Sequence, residues 1–74
     1  MPEADAELMK DALEEIKSAA EAMDCERLEA VFNDMEGYGI PDEYRSLFEN
    51  IRSASDKYDY STIQELLKER EIKE

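Results

Sequence analysis

Twenty-one of the 74 residues are Asp or Glu, one is Cys and none is His, and that inventory limits the reactions the chain could carry. Without an imidazole the commonest general base, the commonest zinc ligand and every phosphohistidine mechanism are missing. Cys25 has no second thiol with which to pair or share a metal. A helix start beside it could lower its pKa, but the position 35 residues on is Tyr60, so the place reads as one for a partly buried side chain. Carboxylates catalyse in pairs only in a concave, partly desolvated site, whereas here their spacing puts them on the outer faces of short helices. The stretch Asn33-Asp34-Met35-Glu36-Gly37 has the composition of a calcium loop, yet its oxygen ligands do not fall at alternate positions before a terminal Glu. No catalytic residue, metal site or cofactor is expected, and the chain is not read as an enzyme.

The elements that carry these residues follow from apolar spacing. Leu8, Met9, Ala12, Leu13, Ile16, Ala20 and Met23 recur at steps of three and four, which predicts a first helix from about Asp5 to Met23. Asp24 offers a side-chain acceptor to open a second, with Leu28, Val31, Phe32 and Met35 on one side. Both glycines fall in Glu36-Gly37-Tyr38-Gly39-Ile40-Pro41, where Gly37 is expected to take the left-handed conformation that closes a helix. Pro41 then starts the third helix at its first position, with Tyr44, Leu47, Phe48, Ile51, Ala54 and Tyr58 on the apolar stripe. Asp59 opens a fourth, whose Tyr60, Ile63, Leu66 and Leu67 face inward. No segment alternates as a strand would.

The chain also repeats itself. With residues 13–36 set against 48–71, six of 24 pairs are identical, namely Glu14/Glu49, Ile16/Ile51, Ser18/Ser53, Ala19/Ala54, Asp24/Asp59 and Glu36/Glu71. A period near 35 is the length of one helix-turn-helix unit. Two hairpins, about 5–36 and 41–72, are therefore expected in a single domain. Neither can bury its apolar face alone, so an all-α four-helix bundle is predicted, in preference to an open superhelix of two tetratricopeptide-like units. The small residues Ser18, Ala19, Ser53 and Ala54 are expected to mark a close approach of the first and third helices.

A net charge of −12 repels phosphate backbones and anionic lipid, so neither nucleic acid nor membrane is an expected partner. No apolar run approaches the roughly 20 residues that a membrane helix requires. A lone Cys with no leader-like start to the chain points to the cytoplasm, and the acidic, charged-tailed sequence reads as a domain excised from a longer protein. Ser46-Leu47 follows Arg45 inside a helix and Ser61 follows Tyr60, so neither offers the Asp-Ser-Leu attachment site of an acyl carrier.

The stretch Glu14-Glu15-Ile16-Lys17-Ser18-Ala19-Ala20 resembles the signature of histidine-containing phosphotransfer domains, His-x-Leu-Lys-Gly/Ser-small-small on a helix of a four-helix bundle. Glu14 stands where that family has its phosphorylated His, and Lys17 matches the lysine that helps neutralise the phosphoryl group. Over about 55 residues the chain is also similar to the acidic helical segment that ends bacterial hybrid sensor histidine kinases, with its Asp-aromatic-x-x-Ile-x-x-Leu-Leu ending at Asp59 to Leu67. The resemblance implies a non-catalytic interaction or regulatory module of two-component signalling, partnered by a receiver or kinase domain and unable to carry phosphohistidine. Glu14, Lys17 and the turn residue Tyr38 are the candidate partner-binding residues. The competing expectation is a stand-alone acidic helical protein that binds basic surfaces; the sequence leaves the oligomeric state open.

Overall fold

The computed structural model describes residues 2–73, with side chains as far as Arg70. The side chain of Glu71, the counterpart of Glu36, and the chain ends Met1 and Glu74 lie outside the described residues. The fold is all-α: α1 (Ala6–Glu21), α2 (Cys25–Met35), α3 (Asp42–Asp56) and α4 (Tyr60–Lys73).

Short polar residues open three of the four helices. Asp5 accepts from the Leu8 N–H at 2.8 Å, Asp24 from the Arg27 N–H at 3.2 Å and Asp59 from the Thr62 N–H at 3.2 Å, each satisfying a backbone donor that has no partner within the helix. The fourth start differs from the sequence expectation by one residue. Pro41 is the N-cap of α3 and not its first helical residue, with φ −55 and ψ 144 and no side-chain cap; its carbonyl accepts from the Tyr44 N–H at 2.9 Å.

Two turns that join helices within a hairpin share one geometry, 35 positions apart. The N–H of Asp24 donates to the Ala19 carbonyl and that of Asp59 to the Ala54 carbonyl, both at 2.9 Å. Each such closure needs a left-handed residue, and these are Met23 (φ 53) and Tyr58 (φ 57). Two expectations are corrected here. Gly37 does not adopt the left-handed conformation, since no glycine has positive φ among the described residues. Met23 and Tyr58 leave the apolar stripes on which periodicity placed them, because the left-handed turn throws them outward to 70% and 67% exposure.

Met9 and Ile16 of α1, Leu28 of α2, Ile51 of α3 and Ile63 of α4 are fully buried, so every helix contributes a branched or long apolar side chain to one core. α1 packs on α2 and on α4, α4 packs on α3, and α2 meets α3 along a narrower contact. The packing of the first helix on the last closes the bundle, a contact that an open superhelix would lack. It also overturns the expected approach of the first and third helices, which stand diagonally with no close approach of their backbones. Ala19 and Ala54 are buried in the core while Ser18 and Ser53 are exposed; the two alanines instead supply the carbonyls that close the turns. The sequence gives no sign of one further tie: the N-terminal arm lies along the middle connection, with Gly39 donating to the Pro2 carbonyl at 2.8 Å and Ala4 to the Gly39 carbonyl at 2.9 Å.

Candidate partner-binding site

Two of the three candidate residues come together. Glu14 and Lys17 are exposed on α1 and line a groove between α1 and α4, whose other walls are Lys10, Leu13, Tyr44, Leu67 and Arg70. Lys10, Glu14 and Lys17 stand at i, i+4 and i+7, so helical geometry puts them in one row. Across the groove the Arg70 guanidinium lies 4.2 Å from the centre of the Tyr44 ring, a distance that favours cation–π attraction. Tyr44 reaches this groove from α3. The groove continues along the bundle between Lys17, Glu21, Gln64 and Lys68, where the Gln64 side-chain amide donates to the Ala20 carbonyl at 3.4 Å.

Four of the chain's nine cationic residues, Lys10, Lys17, Lys68 and Arg70, thus gather along one groove of a molecule with net charge −12. Among the described residues Glu14 and Glu21 are the two carboxylates of its walls. The apolar floor of Leu13, Tyr44 and Leu67 offers area to bury, and the cations offer a site for carboxylate or phosphate groups. Sequence reasoning missed Lys10, Tyr44, Lys68 and Arg70. The seven-residue step from Lys10 to Lys17 was a legible signal; which helix would cover that face was not.

Tyr38 does not join them. It sits in the turn after α2, 37% exposed, at the other side of the bundle, where it lines the cleft between α2 and α3. Glu15, next to Glu14, ties α1 to α2. The Arg27 guanidinium donates to both of its oxygens at 3.0 and 2.8 Å and to the Ser18 hydroxyl at 2.9 Å. That hydrogen bonding holds the Glu15 carboxyl below its ordinary pKa.

Cys25 is half-buried at the start of α2. Its neighbour is its own counterpart, Tyr60, whose hydroxyl pKa is pushed up first by desolvation and then by the Cys25 thiol. The two equivalent positions therefore pack on each other. Among the described residues no group of three or more Cys, Asp or Glu is arranged to hold a metal ion, and no helix is long and apolar enough to cross a membrane.

No family model, characterised protein or solved structure matches the chain.

Proposed function

We propose that this chain is a non-catalytic interaction module of a bacterial two-component signalling protein, phosphotransfer-like in form and without a histidine to carry phosphate. The observation that carries the reading is the α1–α4 groove. The residues matching the phosphotransfer signature, Glu14 and Lys17, share it with three further cations over an apolar floor. A receiver domain, which is phosphorylated on an aspartate, offers the acidic chemistry such a groove would hold. Long-range repulsion by the −12 chain makes the groove selective, because an acidic partner is attracted only where the cations lie.

The test is a titration of the chain with a receiver domain from the same organism, unphosphorylated and phosphorylated. Binding is expected, and reversing two cations together, Lys10→Glu with Lys17→Glu, weakens it about tenfold or more. Lys57→Glu, outside the groove, leaves it unchanged. No binding to either form, or equal loss from Lys57→Glu, sinks the reading.

A further inference from the structure

The contact between α2 and α3 is the thinnest of the packed seams, and on the side opposite the α1–α4 groove it leaves a cleft made of two adjoining hollows. Phe32 and Arg52 line both halves of it. Between the two helices the Phe32 and Phe48 rings meet edge to face, with centroids 5.4 Å apart. From Cys25 to Glu36 the cleft runs along α2 for about 16 Å, three helical turns at 1.5 Å per residue.

Its rims carry a regular set of charges. Glu29 and Glu36 stand seven residues apart on the α2 side, and Glu49 and Asp56 seven apart on the α3 side, so each pair is separated by two turns on one helical face. Each end of the cleft also has an exposed aromatic ring, Tyr58 at one and Tyr38 at the other. Rigid amphipathic rings of this kind supply contact area at little entropic cost. Tyr58 moreover occupies a left-handed backbone position, φ 57, where a large side chain is disfavoured.

Arg52 shows what this surface accepts. Its guanidinium lies 5.8 Å from the centre of the Phe32 ring and 3.3 Å from the Glu36 carboxylate, with half of its side chain in solvent. A cation held between an aromatic face and a rim carboxylate is thus already present once, from the chain itself.

We infer that the α2–α3 cleft docks a basic amphipathic helix of about three turns. Its Lys or Arg side chains meet Glu29, Glu36, Glu49 and Asp56, its apolar edge lies between Tyr38 and Tyr58, and one cation displaces Arg52 from Phe32. The occupant follows from charge complementarity: four rim carboxylates exceed the two guanidiniums, Arg45 and Arg52, that line the cleft, on a chain of net charge −12. Helix-in-groove recognition needs apolar anchors at i, i+3, i+4 and i+7, which fits a three-turn cleft. The inference does not depend on the two-component reading, because it uses the opposite side of the bundle.

The probe is a synthetic 14-residue helix of Leu and Lys with Leu at those spacings, compared with a scramble of the same composition. Binding is followed by amide chemical shifts. The shifts are expected in α2 and α3, and the scramble binds about tenfold more weakly. Neutralising the rims (Glu29→Gln, Glu36→Gln, Glu49→Gln, Asp56→Asn) weakens binding about tenfold, whereas neutralising Glu7, Asp11, Glu65 and Glu69 has a smaller effect. Tyr38→Ser with Tyr58→Ser, both exposed, gives the same loss without the risk to folding that four changes carry. Absence of binding, shifts confined to α1 and α4, or equal losses from the two carboxylate quartets would overturn the inference.

Discussion

The two sides of this bundle are built on different terms. Along the α1–α4 groove the helices pack at length, apolar side chains reach the floor from three helices, and the lining cations outnumber the carboxylates. Along the α2–α3 cleft the helices barely meet, one aromatic pair fills the gap, and the lining carboxylates outnumber the guanidiniums. Burial explains why the difference is tolerated. The core needs three continuous seams to close, and with α1·α2, α1·α4 and α3·α4 filled, the fourth is relieved of that duty and can be shaped by other demands. Electrostatics then gives the sides opposite tastes in a partner, although both belong to one strongly acidic chain.

The largest effect is expected where the thin side is held together. Phe32 is 5% exposed and is the ring on which both Phe48 and Arg52 rest. Phe32→Ala should cost about 3–5 kcal/mol, comparable to the whole stability that a single core supplies at this size. The variant should be largely unfolded by circular dichroism at 25 °C. Tyr44→Ala, on the other side, removes a half-exposed ring and should leave a cooperative unfolding transition. If the two variants unfold alike, Phe32 is not what holds the α2–α3 side together.

Much of this contrast was hidden in the sequence for a definite reason. Apolar spacing finds the face a helix buries, and Ile16, Leu28, Ile51 and Ile63 were legible as core on that basis. Asp24 and Asp59, each ahead of an apolar run, likewise marked two helix starts. Spacing is silent on which helix lies against which, so an α1–α3 approach was expected from Ser18, Ala19, Ser53 and Ala54 where the structure has diagonal helices. Glu14 and Lys17 were legible as one row, but the cations of α4 that face them depend on the closure of the first helix on the last. Gly37 misled because glycine is permitted a left-handed turn without being required to take it. The turns that need that conformation fell to Met23 and Tyr58, whose side chains, unlike a glycine, are disfavoured there.

Those two residues offer the next, smaller test. Replacing either by glycine removes a left-handed strain of about 1 kcal/mol, and both side chains are mostly in solvent. Met23→Gly and Tyr58→Gly should therefore each raise the midpoint of chemical denaturation by a similar amount. They should part in binding: Tyr58 lines the α2–α3 cleft and Met23 lines neither groove. Loss of affinity for the Leu/Lys helix in Tyr58→Gly alone would mark Tyr58 as kept for contact at a cost in stability. Equal losses, or none, would remove that distinction between the turns.

The smallest effect concerns pH and touches the α1–α4 side. Asp24 and Asp59 cap equivalent helices, but Asp59 accepts twice from Thr62, from its N–H at 3.2 Å and from its hydroxyl at 2.6 Å. That hydroxyl, then the N–H, hold the Asp59 carboxyl below its ordinary pKa. A carboxylate with a lowered folded-state pKa contributes stability that is complete above the ordinary carboxylate range and is lost as pH falls through the lowered value. Asp59→Asn keeps an acceptor for the backbone and no longer titrates. The advantage of the native chain over this variant should be largest at neutral pH and vanish in acid, below the usual carboxylate range. Measured by amide exchange, the first turn of α4 should lose protection across that window in the native chain, with a flatter response in Asp59→Asn. An identical profile in the two would show that Thr62 fixes the rotamer of Asp59 without coupling α4, and with it the wall of the basic groove, to pH.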